Sequence, residues 1–494
     1  MVIVRCRARN LARNWQAIRI DLDTGRRTES PASVILATVK TQSSHSRPKV
    51  SPARAAAFDI LIRVERESSY ASELLHSHTY GGLSEVDHSL TTELVMGVLR
   101  WRSLLDSRIA QTSSQPLSKL DLEILTALRL AIYQLGWLSR VPARAAINES
   151  VELVKRARKR SAAPFVNAVL RKLSRDLTLS DATPQIAESY PSGDALAAAS
   201  AHPQWLVERW KQAYGIESTI KICWHNQSVP VTAIRLRAAE AEHQLRAEGI
   251  ELTAGALLSS ARRVVHGDVT KTAAFRSGLC VIQDEASQLV AALVGKGTHT
   301  LDCCAAPGGK TIAIADRNPK TIVTAVDLHP HRARLLRKLA GGHQPSIRVV
   351  AADALHLPFA EKFDRVLADV PCSGTGTLAR NPEIKWRLSP EDLVDLQNRQ
   401  AAILRAAMQQ VSQGGRLIYS TCSLEREENE DVVESAMADD TFRIIECNTQ
   451  LALLQQESQL SLRDTGTLIR GSYLRTIPGV HPCDGFFAAI LEKT

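Results

Sequence analysis

Residues 298–311 read THTLDCCAAPGGKT, and the class of fold turns on them. The part ending in TLDC has the threonine- and leucine-rich texture of a β-strand. Two adjacent glycines, Gly308 and Gly309, let a backbone come close to a ligand, and the helix that opens at Lys310 and Thr311 turns its free N–H groups toward an anion. The same texture recurs downstream. TIVTAVD (321–327), SIRVVAAD (346–353), FDRVLADV (363–370) and GRLIYSTC (415–422) are β-branched or leucine-rich runs, separated by helical spacing at 330–340 and 390–411. Strands and helices in alternation imply a doubly wound α/β domain over residues 291–494, with FRIIECN and the closing GFFAAILEK as further strands.

Cys304 to Thr311 comes within one position of a phosphate-binding loop. It satisfies G-x-x-x-x-G-K-[ST] everywhere except the first residue, where Cys304 replaces glycine. FDRVLAD even resembles the strand and aspartate that hold magnesium in such ATPases. Against that reading, Pro307 stiffens a loop that would have to wrap phosphates, and Cys304 brings a Cβ where the tight turn needs none. A P-loop ATPase is therefore the weaker alternative, and ATP binding with magnesium tests it.

In open α/β sheets ligands sit at the carboxyl ends of the strands, and the unusual residues of this chain fall there. Asp327 ends the second strand, where a Rossmann-like site places a carboxylate on ribose hydroxyls, and Asp353 ends the third, within reach of an adenine edge. Either acid alone is as well explained as a turn or cap residue. Jointly they favour a nucleoside cofactor with few phosphates. S-adenosylmethionine meets that description, since its carboxylate suits a helix start and its sulfonium needs no metal. DVPCSGTG (369–376) puts Asp369 and Cys372 three residues apart at the fourth strand's end, and YSTCS puts Cys422 at the fifth's. A cysteine is more often a small buried hydrophobe than a nucleophile. Two at neighbouring strand ends of a ligand crevice, one beside an acid, reverse that preference.

Upstream the texture is different. From Ser51 to Asp176 the spacing is helical: Leu90, Leu94, Val98, Trp101 and Leu105 recur at three and four residues after Asp87, a candidate N-cap, and Leu122 to Leu138 repeats the pattern. Residues 51–176 are thus an all-α domain. Residues 177–290 form a small α+β linker domain, with a helix from HPQWLVERWKQAYG that Gly215 can end, and strands in VTAIRLR, ARRVVHG and LCVIQD. Residues 1–50 are expected to be a disordered extension. They carry ten basic and three acidic residues, so most of the net charge of +9 is a tail, and any case for nucleic acid rests on local patches. One such patch is the acid-free run Lys155, Arg156, Arg158, Lys159, Arg160, Arg171, Lys172 and Arg175, which suits a phosphate backbone and is equally well a solvated helix face. Nine scattered cysteines with no C-x-x-C pair fit neither a disulfide framework nor a zinc site and imply a reducing, cytoplasmic setting. No apolar run approaches a membrane span.

CAAPGGKT, DVPCSGTG with the following RNPEIKW, YSTCSLEREENE and the ending DGFFAAIL together resemble the RNA cytosine-C5 methyltransferase family. PARAAINESVELVK and FVNAVLR, within Pro142 to Arg171, resemble the NusB-like helical domain of its bacterial small-subunit ribosomal RNA branch, and QDEASQLV fits the approach to the catalytic domain. The likeness runs from about residue 51 to the end. RLR at 235–237 departs from it, since the family has Arg-x-Asn there, and residues 1–50 match nothing in it.

The resemblance implies S-adenosylmethionine held by Cys304, Ala305, Ala306, Pro307, Gly308, Gly309, Lys310, Asp327, Asp353 and Asp369. It also implies Cys422 as the thiol that attacks cytosine C6, Asp369 as the partner of N3, Cys372 as the residue that assists product release, and Asn429 and Glu430 as residues that shape the site. The residues alone do not rank the two thiols. Glu425, Glu427, Glu428 and Glu430 crowd the turns after Cys422 and oppose a thiolate, although a helix start there would favour one, so Lys310 and the cofactor's sulfonium are the expected activators. Most of that acidic run is expected to stabilise a helix start. The target base must be unpaired or flipped out, and the implied partner is small-subunit ribosomal RNA, with tRNA as the alternative, bound by a monomer. Beside the basic run, Arg380, Lys385 and Arg387 are candidates for its backbone and Trp386 for base stacking. A non-catalytic RNA-binding factor is the reading from a different class, and the intact thiols and acids count against it.

Overall fold

The computed structural model describes residues 50–176, 187, 189–341, 346–437 and 441–494; apart from Val50, the extension expected over residues 1–50 lies outside them. Among the described residues, six α-helices occupy the first domain: Pro52–Glu67, Ala71–Leu75, Glu85–Thr112, Leu122–Trp137, Ala143–Arg156 and Ala163–Asp176. Leu94, Val98, Trp101 and Leu105 are buried as their spacing requires, against Leu128, Leu130 and Ile132 of the fourth helix. Those two helices approach closely at Gly97, where an added Cβ would lie 2.0 Å from the Tyr133 ring. The long helix starts earlier than expected. Its N-cap is Ser84, whose Oγ accepts from the Asp87 backbone N–H at 3.1 Å while donating to the Asp87 carboxylate at 2.7 Å, so Asp87 is the third helical residue and not the cap.

The linker helix spans Gln204–Gln227, and Gly215, at φ +77°, kinks it without ending it. The second half continues because Thr219, Ile222 and Cys223 are buried along it. A small antiparallel sheet follows, built from β1 (Ala233–Leu236), β2 (Glu251–Ala254), β3 (Ala261–His266) and β4 (Cys280–Ile282) in the order β2-β3-β1-β4, with the Ala241–Ala247 helix against it.

The last domain has a nine-stranded sheet among the described residues: β5 (His299–Asp302), β6 (Ile322–Asp327), β7 (Ile347–Ala351), β8 (Phe363–Asp369), β9 (Val411–Thr421), β10 (Phe442–Ile445), β11 (Ile469–Arg470), β12 (Tyr473–Thr476) and β13 (Phe486–Lys493). The order is β11-β12-β13-β9-β8-β5-β6-β7, with β10 also on β13. The strands from β7 to β9 are parallel, and the remainder are antiparallel. Alternate side chains go to opposite cores, as a pleat demands. Leu367, Ile418 and Ile490 pack with the helices Glu285–Leu293, Gly309–Arg317 and Cys447–Gln456, whereas Val366, Tyr419 and Phe487 pack with Pro390–Met408 and Glu430–Ala436. The chain builds β5, β6 and β7 outward in one direction and then returns to β8 and β9 on the other side of β5. That reversal leaves a crevice beyond the carboxyl ends of β5 and β8.

Candidate active site

The crevice is floored by the loop after β5. Ala305 N–H donates to Val326 O (2.8 Å), Arg332 donates to Ala306 O (2.9 Å), and the Ala306–Pro307 peptide is cis. Gly308 takes φ +114°, and a Cβ there would meet Leu336 at 3.1 Å, so glycine is required on two counts. The Gly309–Arg317 helix begins at the next residue and points its first N–H groups into the crevice. Asp302, directly beneath, is buried; Thr311 donates to one carboxylate oxygen at 2.7 Å, yet burial, joined by the charge of Asp369, pushes its carboxyl up to about 7.

Asp327 and Asp353 stand at the ends of β6 and β7, next to the half-exposed Leu328 and Leu355. Asp327 accepts from His329 N–H (2.9 Å) and pairs with Arg332 (3.2 Å); Asp353 accepts from Leu355 N–H (3.0 Å). Both therefore make the turn bonds of a strand-end aspartate, and each carboxylate keeps unused lone pairs.

Lys310 reaches across the crevice. Its Nζ lies 2.7 Å from Asp369 Oδ2 and 5.0 Å from the centre of the Phe486 ring, and Ser420 Oγ donates to Asp369 Oδ1 at 2.7 Å. Burial works against its charge, yet Asp369's charge and hydrogen bond prevail and the ammonium is held above the usual lysine range. Lys310 is a cation at neutral pH.

The two thiols meet. Cys372 Sγ is 3.2 Å from Cys422 Sγ, and the Cys422 N–H donates to Cys372 Sγ at 3.3 Å. They are unequal: Cys372 is 7% exposed and Cys422 half-buried. The hydrogen bond from Cys372 lowers the Cys422 thiol against burial and the Asp369 charge, with help from Lys310, and the same bond together with burial pushes Cys372 well up. Within the protein the Cys372 hydrogen bond is the first influence lowering the Cys422 thiol, and Lys310, one of the two expected activators, adds to it. A helix dipole does not act directly, because the next α-helix begins only at Glu430.

The acidic run is a helix-start cluster only in part: Glu430 opens the Glu430–Ala436 helix, but each acid of the run also has a partner of its own. Glu428 is fully buried and staples both thiol loops: Ser373 N–H (2.7 Å), Ser373 Oγ, Ser423 Oγ (2.5 Å) and Gln400 Nε2 (2.9 Å) all donate to its carboxylate. Glu425 accepts from Arg209 (2.8 Å) and Trp210 Nε1 (3.1 Å), Glu427 from Arg209 (2.5 Å), and Glu430 from the buried Arg475 (2.7 and 2.9 Å). Asn429 bonds Thr421 Oγ1 (2.5 Å) and Ser423 O (3.0 Å), fixing the turn after Cys422. The charges of Glu425, Glu427 and Glu430 are therefore taken up by Arg209 and Arg475, whereas Glu428 has only neutral donors and its charge helps to push the Cys372 thiol up. Sequence reasoning passed over Ser373, Gln400, Ser420, Ser423, Arg475 and Phe486, whose spacing carries no signal.

Four of the nucleic-acid candidates are otherwise engaged. Lys385 is fully buried and donates to Arg100 O at 2.9 Å; Trp386 Nε1 donates to Leu99 O at 2.6 Å, its ring between Arg102 and Lys385; Arg387 donates to Val64 O (2.7 Å) and Ser68 O (3.0 Å). With Glu383 accepting from Ala71 N–H (2.8 Å) and Arg100 donating to Ala379 O (3.1 Å), this stretch fastens the helical domain to the loop that carries Cys372. Arg380 is held by Asp484 (2.8 Å) and Asp284 (3.2 Å). By contrast Arg158, Arg160 and Lys172 are exposed and have no acidic partner among the described residues, while Lys155, Arg156 and Lys159 pair with Glu152, Asp59 and Asp121 at the surface. All eight cysteines among the described residues are free thiols, no group of His, Cys, Asp and Glu there could hold a metal ion, and no described helix is long and apolar enough to cross a membrane.

Comparison with known proteins agrees with this layout. The family model "16S rRNA methyltransferase RsmB/F" matches residues 292–492, "NusB family" matches 51–175, and a ferredoxin-like domain of RsmF/B-like methyltransferases matches 202–267. A Bacillus subtilis protein described as "Probable ribosomal RNA small subunit methyltransferase B" is 34% identical over 467 residues, spanning 90% of this chain and 99% of its own. The Vibrio cholerae "Ribosomal RNA small subunit methyltransferase B" is 32% identical over 418 residues, 82% of this chain and 90% of its own. Among solved structures, PH0851 superposes with a TM-score of 0.72 at 22% identity over 90% of this chain and 100% of that one. A methyltransferase homologue from Pyrococcus horikoshii gives 0.52 at 24% identity, 62% of this chain and 100% of that one. At such identities the structural likeness concerns the fold.

Proposed function

Because the chain belongs to the family of RsmB/F 16S rRNA methyltransferases, we propose that it methylates C5 of a cytosine in small-subunit ribosomal RNA through a covalent adduct between Cys422 and C6. The observation that carries this reading is the convergence of Cys372, Cys422, Asp369 and Lys310 at one end of the sheet. The crevice fits S-adenosylmethionine: a glycine that admits no Cβ, free helix N–H groups for a carboxylate, Asp327 and Asp353 for hydroxyl and amine donors, and apolar Leu328 and Leu355 for a base. When bound, that cofactor supplies a methyl carbon activated by its positive sulfur.

Cytosine C5 is too electron-poor to be methylated directly. The Cys422 thiolate adds to C6 and makes C5 enamine-like, while N3 gains the proton that Lys310 and Asp369 hold between them. Once C5 carries its methyl group, loss of the C5 proton to solvent restores the ring double bond and expels Cys422, and N3 returns its proton to the Asp369–Lys310 pair. Cys372, kept protonated, offers its S–H to the departing sulfur. An ion pair shared by Asp369 and Lys310 is a proton-delivery device and gives no support to a magnesium site for ATP. The target cytosine is unpaired or flipped out, because the thiols lie at the bottom of a crevice. The protein acts as a cytoplasmic monomer in this reading.

The test uses Cys372→Ala and Cys422→Ala with a small-subunit rRNA transcript and the methyl donor. Cys372→Ala accumulates a denaturation-resistant protein–RNA adduct and Cys422→Ala forms none; adducts in neither variant would refute the mechanism. Bisulfite mapping of ribosomal RNA from cells lacking the protein locates the base, and a change confined to tRNA would redirect the substrate while preserving the chemistry.

A further inference from the structure

At the end of the sheet opposite the thiols lies a second cavity of about 210 Å³, lined by Lys296, Arg317, Arg365, Arg416, Gln450 and Glu457 among others. Two of its lining residues, Arg365 and Arg416, belong to a charge row running across the strands. Arg365 on β8 is in register with Arg416 on β9, Arg416 with Glu492 on β13, and Glu492 with Arg443 on β10. Side chains in register on neighbouring strands share a face, and like charges placed so repel. Glu492 serves both Arg416 (2.8 Å) and Arg443 (2.5 Å) and reaches no further.

Arg365 is left without a carboxylate partner among the described residues. Its Nε is buried with no hydrogen bond, its Nη1 donates to the neighbouring Asp364 O at 2.6 Å, and the Asp364 carboxylate is taken up by Thr298 and His299 N–H groups at 2.7 and 3.0 Å. Its stem passes so close to Gly297 that a Cβ there would lie 2.5 Å from it, so the guanidinium cannot swing away toward that side. Arg317 faces the same cavity and donates to the neutral Gln459, while Glu457 is taken by Lys296 at 2.7 Å. Burial, and the neighbouring Arg416 and Arg235 respectively, lower the hold of Arg365 and Arg317 on their protons. Two half-buried guanidiniums on one cavity, with no carboxylate in ion-pair contact and only the more distant charges of Asp364 and Glu492 on Arg365 and of Glu457 on Arg317, are costly unless an anion joins them.

We infer that this cavity is a binding site for a phosphate group, distinct from the methyl-transfer crevice. The carboxyl end of the Gly309–Arg317 helix also faces it, and that partial negative charge opposes an anion, but it amounts to about half an elementary charge against two full guanidinium charges. The volume is ample, since a water's share of the liquid is about 30 Å³. The planar fork of arginine suits a tetrahedral oxyanion better than a lysine does. An RNA backbone and a free phosphate compound present the same chemistry.

Titration calorimetry of the full chain with inorganic phosphate and with pyrophosphate, at constant ionic strength, tests the site without reference to methyl transfer. Saturable binding is expected, weakened at least tenfold in Arg365→Met and in Arg317→Met and partly retained in Arg365→Lys, with unfolding midpoints compared so that loss of fold is not mistaken for loss of a ligand. For an RNA source, the slope of log affinity against log salt for a small-subunit rRNA transcript falls by about 0.7 to 0.9 in Arg365→Met, one phosphate contact's worth. For a free phosphate compound the slope stays and only the anion binding is lost. Absence of saturable anion binding together with an unchanged slope overturns the inference, as does anion binding that Arg365→Met and Arg317→Met leave intact.

Discussion

Two basic stretches of this chain look alike as text and meet opposite fates. Lys155 to Arg175 runs from the end of one helix of the first domain through the turn that carries Arg158 to Arg160 into the next helix, with its cations at the surface, whereas Arg380 to Arg387 delivers one fully buried lysine and a set of donors to the carbonyls of another domain. Spacing explains the difference. In the first stretch Leu153, Val154, Val166, Val169, Leu170 and Leu173 occupy one face of each helix, so the basic residues are pushed outward. In the second, Ile384 is buried in a cluster with Leu378 and Leu424, and the short Ile384–Arg387 helix is too brief to have a solvent face of its own. Charge in a sequence marks a nucleic-acid surface only when the apolar residues around it have somewhere else to go.

The largest test of this contrast is Lys385→Ala. It removes a buried stem and one of the donors to Arg100 O and is expected to cost about 2 to 4 kcal/mol in chemical denaturation. A loss near zero would mean that solvent reaches the site and that the contrast is false. The same residue has a pH signature. Burial drives its pKa well below the ordinary lysine value, so between that lowered value and about 10.4 the unfolded chain binds a proton that the folded chain refuses. Stability contributed here therefore rises with pH, and wild type minus Lys385→Met should show a positive slope as the pH rises toward about 10.4; a flat difference would show the lysine to be charged in place.

Trp386→Phe removes only the donor to Leu99 O and is expected to cost about 1 kcal/mol while leaving RNA affinity unchanged. A fall in RNA affinity at unchanged stability would restore the stacking role. The smallest stability effect belongs to the exposed stretch. Arg158→Gln, Arg160→Gln and Lys172→Gln combined should move stability by no more than about 0.5 kcal/mol, yet lower the salt slope of RNA binding by roughly 2. An unchanged slope would assign that face to solvent alone.

The parallel core of the sheet was legible because each of its strands is a β-branched or leucine-rich run ended by an acid or a thiol. β11 and β12 were not, since IR and YLRT are too short and too polar to be told from loop, and they form strands by extending an edge that β13 leaves open. Ser84 was missed as a cap because Asp87, a residue of equal capping propensity, stands three positions later, and the register of the first helical turn decides between them. Gly215 was recognised as a breaker, but the burial that carries the helix past it comes from residues of other elements. In the crevice, each candidate was individually visible at a strand end. That Glu428 binds both thiol loops was not, because Ser373 and Gln400 are brought to it by the crossover from β8 to β9, and Ser423 alone is a local partner.

By itself the sequence determined the order of the three domains, the strands of the parallel core and the chemical types gathered at their ends, because hydrophobic period and strand-end residues are local properties of the chain. Tertiary structure alone decided that the two thiols meet with unequal exposure, where Glu425, Glu427 and Glu430 find their cations and which basic residues meet solvent. Those outcomes depend on burial and on distances between residues far apart in the chain, and electrostatic energy is set by separation and surroundings, which no local pattern encodes.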